Sequence, residues 1–359
     1  MSIRTQNALL IPSKACGYVQ LGTRPVPIPG RGQLLVKIQS AALNPVDHYV
    51  KDHGIFVDKC GFPALIGYDG AGIIEQVADD VQGWNKGDRV LFQGDSHPDF
   101  CTFQQYALCD AVVCTKIPEK MSFDDASTFP VALGTAAVGL YQKLAPVSGQ
   151  DGGAGLIAPW ESGIGKYAGQ PALVFGGSSS VGQLAIQLVK LSGFNPIIAT
   201  ASKKNENYCK AAGATHVIDY HDLPYADLPA AVAKLVNGPI SLVYDAVSSE
   251  DSQKAGWAIL AHSGSLINAG RRILGITPDQ IGEDGKHLVQ VWGVIRRDDN
   301  IELGAKMCNH LTDLLEEGLL KPNNVEVLPG GLAGVSAGLD RLLKGVSAVK
   351  LVVRPQETT

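Results

Sequence analysis

The sequence predicts an α/β protein in which a doubly wound parallel sheet is accompanied by a second, β-rich domain. Over residues 171–300, six short apolar segments alternate with helical runs, as parallel strands joined by crossover helices do. Over residues 1–125, short segments alternate apolar and polar residues between turn signals, which is typical of a small barrel. The chain has 359 residues, which is enough for two such domains.

The β-rich part is justified by its alternating segments and by the helices that follow it. Its predicted strands are 33–39, 70–77, 88–92, 103–108 and 112–117. Ser122, three residues before Asp125, predicts a capped helix start, and an alanine-rich apolar run over 131–144 predicts a buried helix. A closing strand at 349–354 has the character of the early strands, so we expect it to return to the first domain.

The second part is justified by six predicted strands with helices between most of them. These strands are 172–175, 196–200, 216–219, 240–244, 264–268 and 289–293. Residues 146–170 are rich in glycine and lack periodicity, so we expect a surface insertion with Trp160 exposed. We predict further helices at 306–317 and in the glycine-rich stretch before residue 343.

The strand at 172–175 leads into a glycine-rich turn, Gly176–Gly182, and then into a helix. Glycine permits a tight turn and a close backbone approach to phosphate, and the helix start attracts anions. The unit is therefore the element that holds the pyrophosphate of a dinucleotide. The spacing departs from strict G-x-G-x-x-G, and the alternative is an ordinary serine-capped turn.

The end of the second strand of this unit indicates which dinucleotide is bound. A carboxylate about 20 residues after the turn would select NAD, because it binds the ribose hydroxyls. This chain has Ser202, Lys203 and Lys204 there instead, and a hydroxyl with two ammonium groups attracts a 2′-phosphate. We therefore predict NADPH, with a solvated helix start as the alternative interpretation of the two lysines.

Composition narrows the function classes. The formal net charge of −5 gives no electrostatic case for binding nucleic acid or an acidic membrane. No apolar run approaches the roughly 20 residues that span a bilayer, and the first residues lack the apolar core of a signal peptide. Seven scattered cysteines are typical of reduced thiols, so we expect a cytoplasmic protein.

The order of motifs resembles the medium-chain dehydrogenase/reductase superfamily over essentially the whole chain. The resemblance implies a GroES-like β-barrel catalytic domain at 1–125 and 321–359, and a Rossmann domain with a six-stranded parallel sheet at 126–320. It also implies that the cofactor binds in the cleft between them. The matching segments are Asn44–Asp47, Gly67–Gly72, Lys86–Val90, Lys116–Pro118, Leu133–Ala136, Gly176–Gly182 and Lys350–Val353.

Within that superfamily the chain resembles the zinc-free quinone and enoyl reductases. Asn44 stands where the zinc alcohol dehydrogenases carry a ligand cysteine, and Tyr68 and Asp69 stand where they carry His-Glu. Their structural zinc needs four ligands, whereas only Cys101 and Cys109 fall in the corresponding lobe. The resemblance therefore implies that no metal is bound, and it argues against the alternative of a zinc alcohol dehydrogenase.

The subfamily that the chain resembles most is the fungal one around the trans-acting enoyl reductases of polyketide pathways. Shared features include the serine-rich turn, Leu191–Phe194 and the Ser202-x-x-Asn205 tail. By resemblance, a set of residues would line NADPH, with Tyr220 near the adenosine end. This set is Val46, Asp47, His48, Gly177, Ser178, Ser179, Ser180, Val181, Ser202, Lys203, Asn205, Tyr220, Asn268, Ala269, Ala348 and Val349.

Without a Lewis acid, the expected chemistry is hydride transfer from the nicotinamide to the β-carbon of an α,β-unsaturated carbonyl. Hydrogen-bond donors would stabilise the charge that develops on the carbonyl oxygen. We predict Tyr49 and Thr135 as these groups, with packing as the alternative role of each. Tyr49 replaces a lysine that relatives often have. His48 is a weaker candidate, because in an extended segment it would face away from Tyr49.

The leading hypothesis is an NADPH-dependent reductase of activated carbon–carbon double bonds. The substrate is a free enone, enal or quinone, or a chain held by the carrier protein of a polyketide synthase that docks on the 146–170 insertion. The alternatives are a carbonyl reductase and a non-catalytic NADPH-binding protein. Phe56, Leu140 and residues 270–292 are predicted to contribute to the pocket. Both a monomer and a homodimer are compatible with the sequence.

Overall fold

A computed structural model describes residues 4–55, 57, 60–270, 272–281 and 283–359. Phe56, a predicted pocket residue, lies outside these ranges. The strands are β1 (Thr5–Ile11), β2 (Gln20–Pro25), β3 (Gln33–Ala42), β4 (Ala64–Leu65), β5 (Asp69–Val77), β6 (Arg89–Gln93), β7 (Tyr106–Asp110), β8 (Cys114–Lys116), β9 (Ala172–Phe175), β10 (Ile197–Thr200), β11 (His216–Ile218), β12 (Ile240–Asp245), β13 (Leu260–Asn268), β14 (His287–Gln290), β15 (Val325–Val327) and β16 (Lys350–Val353). The α-helices are α1 (Pro45–His53), α2 (Phe123–Ala126), α3 (Pro130–Tyr141), α4 (Ser180–Leu191), α5 (Glu206–Ala212), α6 (Leu228–Val232), α7 (Glu250–Ile259), α8 (Ile301–Glu316) and α9 (Gly334–Lys344). Among the described residues, no helix combines the length and the apolar character needed to cross a membrane.

The chain divides into two compact units, and their limits differ from the predicted domain boundaries. Unit 1 comprises residues 1–131, 294–316 and 322–359, and unit 2 comprises residues 132–293 and 317–321. The main difference is the segment 294–316, which the sequence placed with the second domain. It packs in unit 1 because the Thr115 hydroxyl donates to Cys308 O (3.2 Å) and the Thr312 hydroxyl donates to Lys116 O (2.8 Å).

Unit 1 is built on a seven-stranded sheet in the order β15-β16-β3-β5-β6-β8, with β7 paired to β3. A second sheet has the order β2-β1-β4. The closing strand β16 pairs antiparallel with β3, with Val352 opposite Ala42, so the predicted return of the last strand is confirmed. The apolar side chains of both sheets and of α9 form one buried core.

Unit 2 is built on a six-stranded parallel sheet in the order β11-β10-β9-β12-β13-β14. This confirms the predicted doubly wound domain. Every residue of the central strand β9 is buried, as expected of a strand covered on both faces. The glycine-rich turn therefore begins at the carboxyl end of a buried central strand, which is where ligands bind in such sheets.

The glycine-rich segment 146–170 is packed more closely than the sequence suggested. Trp160, predicted to be exposed, is half-buried, because its ring meets the Tyr141 ring edge to face with 5.3 Å between centroids. The Tyr167 ring stacks on Phe194 at 5.0 Å, and its hydroxyl accepts a hydrogen bond from Ile157 N (2.8 Å). Aromatic residues therefore anchor this segment to helix α3 and to the loop after α4 in unit 2.

Residues 148–152 also cover the edge strand β14. Leu288 N donates to the Ser148 hydroxyl (2.8 Å), and Gly149 N donates to Leu288 O (2.7 Å). Gln290 N donates to Gln150 O (3.1 Å), and Gly152 N donates to Gln290 O (3.0 Å). The outward backbone groups of Leu288 and Gln290 are thus all paired within the chain.

Candidate functional site

The turn between β9 and α4 has the local geometry of an anion-binding helix start. Gly176 has a φ of +67°, in the left-handed region that glycine adopts without strain. Ser179 is the N-cap of α4, and its hydroxyl accepts from Gly182 N (3.0 Å). Ser180 and Val181, the first two helical residues, have N–H groups without acceptors inside the helix. These groups and the helix dipole favour a negatively charged ligand at this end.

Two glycines of the turn are required by close packing. A Cβ at Gly182 would collide with Gly176 O, and a Cβ at Gly177 would lie 2.9 Å from the side chains of Ala199 and Ile186. The turn, the start of α4 and strand β10 therefore approach each other more closely than larger residues allow. This close approach fits the pyrophosphate cradle that the sequence predicts.

The predicted adenosine-end residues of unit 2 lie together at the end of β10. The Asn205 amide donates to the Ser178 hydroxyl (3.1 Å), and the Ser202 hydroxyl lies 3.1 Å from the Tyr220 hydroxyl. The Tyr220 ring is 39% exposed, so it presents an aromatic face to solvent beside these hydroxyls. The structure therefore brings the turn, the tail of β10 and Tyr220 to one place.

The lysine predicted to bind the 2′-phosphate already has a carboxylate partner. Lys203 Nζ lies 2.9 Å from Glu206, which also binds Lys210 at 2.7 Å. Hydrogen bonds from Lys210 and Lys203 lower the pKa of Glu206 to about 2. Asp219 accepts from the backbone N–H of His221 (2.8 Å) and of Lys203 (2.6 Å), and these bonds lower its pKa. Two carboxylates thus stand close to the predicted phosphate site.

Asn268 and Ala269 lie at the carboxyl end of β13. The Asn268 side chain is fully buried, and its amide donates to Gln290 Oε1 (2.9 Å) and to Arg272 O (3.1 Å). Asn268 therefore holds the loop after β13 with its side chain, so any contact with a cofactor there falls to the backbone. Ala269 N donates a hydrogen bond to Asp245 O (3.1 Å).

Thr135 lies in the part of α3 that belongs to unit 2. Its carbonyl oxygen accepts from the Tyr244 hydroxyl (3.1 Å). A Cβ at Gly293 would lie 2.9 Å from Thr135 Cβ, so Gly293 is required for the close approach of the two segments. The Thr135 side chain is half-buried, as suits a donor at the rim of a site.

In unit 1, helix α1 carries Val46, Asp47, His48 and Tyr49. The extended conformation assumed for His48 is wrong, because Asn44 caps a helix that begins at Pro45. His48 Nδ1 consequently lies 3.0 Å from Asp52, one turn further on, and its side chain is only 13% exposed. The Tyr49 ring is 49% exposed, so it remains available for a ligand.

Asp47, predicted to contact the cofactor, is completely buried. Its carboxylate accepts from Asn44 N (2.7 Å) and from Gly67 N (2.9 Å). Burial raises its pKa to about 7, and the nearby charge of Asp69 adds to this effect, whereas the two backbone donors oppose it. Asp47 thus fixes the start of α1 and leaves direct contact with a ligand to its neighbours.

Ala348 and Val349 immediately precede β16. Ala348 has a φ of +51°, a conformation that non-glycine residues rarely adopt. The segment is held because Asn324 donates to Ala348 O (3.0 Å) and Lys350 N donates to Asn324 O (2.7 Å). The Lys350 side chain then reaches Asn44, the cap of α1, and so joins the two predicted cofactor-lining segments of unit 1.

Comparison with known proteins agrees with this arrangement. The alcohol dehydrogenase GroES-like domain matches residues 30–150, and the zinc-binding dehydrogenase family matches residues 180–301. The trans-enoyl reductase resD of Aspergillus sclerotiorum is 33% identical over 359 residues, which cover 92% of this chain and 95% of that protein. The chain belongs to the medium-chain dehydrogenase/reductase superfamily.

Solved members of the superfamily share its fold over nearly their whole length. The quinone oxidoreductase from Coxiella burnetii has a TM-score of 0.72 at 24% identity, covering 98% of this chain and 99% of its own. A mycobacterial protein solved in complex with NADPH has a TM-score of 0.75 at 20% identity, covering 98% and 100%. The protein is thus a reductase of this superfamily, related to fungal enoyl reductases, with a nicotinamide cofactor as the family's redox partner.

The residues present do not fit the zinc sites that one of the family names suggests. The Asn44 amide oxygen accepts from Lys350 Nζ (2.6 Å) and its amide nitrogen donates to Asp69 (2.7 Å), so this side chain is committed to hydrogen bonds within the protein. Cys101 and Cys109 are buried, and their sulfur atoms contact Asp95 O (3.1 Å) and the Cys114 sulfur (3.0 Å), respectively. Within the described ranges, no three His, Cys, Asp or Glu side chains are arranged to hold a metal ion.

Sequence reasoning missed the residues that support the site. Gly293, Asp69 and Lys350 carried no functional prediction, although the last two lie in segments that match the superfamily. Gly293 has no local signal at all, because its need for a missing side chain depends on Thr135, far away in the sequence. The Asp69 and Lys350 charges were visible, but their burial was not.

Proposed function

We propose that the protein is an NADPH-dependent, zinc-independent reductase of activated carbon–carbon double bonds. The observation that carries this proposal is the buried cluster in which Asn44 and Asp69, which by resemblance stand where zinc members carry a ligand cysteine and a glutamate, are bound to Lys350. A fixed ammonium group there replaces a Lewis acid with a structural cation, and a substrate must then be electrophilic without metal activation. The fungal relatives named trans-enoyl reductases support the same reaction class.

The glycine turn and the start of α4 would hold the pyrophosphate, and Ser202, Lys203 and Tyr220 would hold the adenosine end. When bound, the nicotinamide supplies a hydride to the substrate. Tyr49 would donate a hydrogen bond to the carbonyl oxygen of the substrate, where negative charge develops, and Thr135 would donate to a ribose hydroxyl or to the substrate. Donors fixed before the reaction stabilise this charge without reorganisation.

The preference for NADPH over NADH belongs to this proposal. It is supported by Ser202, Lys203 and Lys204, which follow β10 where a NAD site carries a carboxylate, although Lys203 already pairs with Glu206. Comparing the dissociation constants of the two cofactors tests it directly, and tighter binding of NADH would overturn it.

A carrier-held substrate is the second form of the proposal. It is supported by the relatives named trans-enoyl reductases and by the resemblance of this chain to the trans-acting enoyl reductases of fungal polyketide pathways. Segment 146–170 would then be the docking surface for the carrier protein, and a cytoplasmic location would suit such a partnership. Loss of activity on carrier-bound substrate alone, after replacement of this segment, would support docking.

The deciding experiment follows NADPH oxidation by the purified protein with a simple conjugated enone and identifies the product by mass spectrometry and NMR. A saturated ketone is the expected product. An allylic alcohol would show carbonyl reduction and overturn the proposal. Tight NADPH binding without turnover of free or carrier-bound enones would favour a non-catalytic NADPH-binding protein.

A further inference from the structure

A buried junction in unit 1 joins three segments through charged and amide groups. Asp69 is fully buried, and Lys350 is 4% exposed with its Nζ 3.0 Å from Asp69 Oδ2. The Asn44 amide donates to the same Asp69 oxygen (2.7 Å), and Lys350 Nζ donates to the Asn44 amide oxygen (2.6 Å). Val131 N donates to the other Asp69 oxygen (2.6 Å). We call the side chains of Asn44, Asp69 and Lys350 the Asp69 junction.

We propose that Lys350 is a positioning residue, whose ammonium group holds the start of α1 and the Ala348–Val349 segment in the one relative geometry that catalysis requires. This inference rests on the proposed reductase function. It concerns how Tyr49 and the backbone before β16 are aligned within unit 1, and it assigns Lys350 no contact with substrate or cofactor.

The first argument is that Lys350 binds two acceptors on different segments. Asn44 occupies the N-cap position of α1, where its backbone C=O accepts from Asp47 N (3.1 Å) and its N–H donates to the Asp47 carboxylate (2.7 Å), so a hydrogen bond that fixes the Asn44 side chain also fixes the residue from which the helix starts. Tyr49 lies five residues further along the same nine-residue helix. A change in the direction of this short helix would therefore displace the Tyr49 hydroxyl.

The second argument is that the segment before Lys350 is held in a strained conformation. Ala348 keeps its positive φ two residues before Lys350, whose backbone N–H and side chain both make hydrogen bonds. Such strain persists only where the surroundings determine the conformation, and it is concentrated at functional sites. Loss of the Lys350 side-chain bonds would let this backbone relax.

The free energy of a buried ion pair gives a further reason to assign a positioning role to Lys350. A buried ion pair is often no more stabilising than a well-packed apolar pair of the same volume, because both charges lose their hydration. Stability alone therefore does not account for Lys350 and Asp69. A single ammonium group that bridges the Asp69 carboxylate and the Asn44 amide determines how the start of α1 is oriented relative to β16. An apolar pair would not determine this orientation.

The test separates charge balance from positioning with a paired substitution. Lys350→Met alone leaves the Asp69 carboxylate buried without its cation, so it should lower the Tm strongly. The double variant Asp69→Asn/Lys350→Met removes both charges and should recover most of that Tm. We expect it nevertheless to lose roughly tenfold or more in kcat, with faster amide exchange at residues 46–50 and 348–350, because the helix start is released.

The matched control is Asp88→Asn/Lys116→Met, which removes an exposed ion pair of unit 1 whose Nζ–Oδ2 distance is also 3.0 Å. It should leave Tm, exchange and kcat unchanged. A stable double variant of the junction with wild-type exchange and wild-type kcat would overturn the proposal.

The proposal can still be tested if the double variant does not fold or if the wild-type protein reduces no enone. If the double variant does not fold, Lys350→Arg replaces it, since a guanidinium keeps the charge but shifts the donors. A folded Lys350→Arg protein with wild-type kcat and exchange overturns the proposal, and a lowered kcat with a retained Tm supports it. If the wild-type protein reduces no enone, the proposed function fails, whereas amide exchange at 46–50 and 348–350 still decides the positioning role.

Discussion

Tyr49 is the residue whose role in catalysis is most directly testable. Its ring is about half exposed on α1. We predict that Tyr49→Phe lowers kcat by about 10²–10³-fold, as loss of one oxyanion donor does, and leaves the NADPH dissociation constant nearly unchanged. Steady-state kinetics with an enone and a fluorescence titration of NADPH measure the two quantities. Unchanged kcat with every substrate would exclude Tyr49 as the essential donor.

In the proposed NADPH site, Glu206 would compete with the 2′-phosphate for Lys203, because its carboxylate already pairs with that ammonium group. We predict that Glu206→Gln tightens NADPH binding and leaves NADH binding nearly unchanged, because only NADPH carries the 2′-phosphate. Paired titrations of the two cofactors measure this. Lys210→Met is the control, since it removes the other cation from Glu206 and should weaken NADPH binding slightly or not at all. Equal effects of Glu206→Gln on both cofactors would count against a phosphate site at Lys203.

Asp47 makes stability depend on pH, because burial raises its pKa in the folded protein to about 7. Between the unfolded value near 4 and the folded value, the folded protein holds a proton that the unfolded chain has released, so this group's contribution falls as the pH rises. The Asp47→Asn variant has no titratable group at this position, so it lacks this pH-dependent contribution to stability. We predict that the stability of wild type relative to Asp47→Asn is greater at pH 5 than at pH 8, by about 2–3 kcal/mol.

Thermal unfolding of both proteins between pH 5 and pH 8 checks the prediction for Asp47. The surface variant Asp88→Asn serves as the control for loss of a carboxylate. Parallel curves of Tm against pH for wild type and Asp47→Asn would show that the folded pKa is ordinary.

At the level of elements, residues 148–152 cover the edge strand β14 and bind its outward backbone groups. An edge strand with free N–H and C=O groups is a template for pairing with another chain, and here the outward groups of Leu288 and Gln290 are occupied. We therefore expect that two copies of the protein do not pair through β14. This favours a monomer over a homodimer formed at this edge.

Gly149→Pro tests this coverage. The substitution removes the N–H that binds Leu288 O and is incompatible with the φ of +88° at Gly149. We predict that the Leu288 and Gln290 amides then exchange faster and that a dimer appears in light scattering at high concentration. Ser148→Ala, which removes one acceptor, should have a weaker effect in the same direction. Unchanged exchange in Gly149→Pro would mean that the segment does not protect the edge.

The elements differ in how well the sequence predicts them, and the reason is the range of their interactions. The six strands of unit 2 are predictable because each is a short apolar run between turn signals. Helix α1 was missed because it has only nine residues, although Val46, Tyr49 and Val50 have helical spacing and an N-cap asparagine followed by proline marks its start. The pairing of 148–152 with β14 was invisible, since it joins residues about 140 apart.

In the candidate site, too, local patterns were predictable from the sequence and long-range contacts were not. The glycine turn and the tail of β10 are local patterns, and they lie together as expected. The burial of Asp47 and the strain at Ala348 depend on partners such as Gly67 and Asn324, which local pattern does not identify.

At the scale of the whole molecule, the segment 294–316 brings the chain back to unit 1 and is fixed there by Arg296. Its guanidinium donates to Asp110 (2.7 and 3.0 Å), pairs with Asp95 and lies 4.1 Å from the centroid of the Phe100 ring. We predict that Arg296→Met lowers Tm by about 2–4 °C, because two partly buried carboxylates lose their cation. Differential scanning calorimetry measures the shift.

The adjacent Arg297→Met is the matched control. Arg297 pairs with Asp299, whose side chain is 53% exposed, and exposed pairs contribute little to stability. Equal shifts for the two variants would show that the return segment is not held by Arg296.

The pairing of β16 with β3 has a consequence for biosynthesis. Val352 lies opposite Ala42, so the ribosome adds the partner about 310 residues after that end of β3, which takes on the order of 15–60 s at about 5–20 residues per second. The sheet of unit 2 can close once Gln290 has emerged, whereas the sheet of unit 1 still waits for β16. Until then Asp69 lacks the Lys350 ammonium group, and the nascent unit 1 presents an unfinished sheet to chaperones although all six strands of the unit 2 sheet have been synthesised.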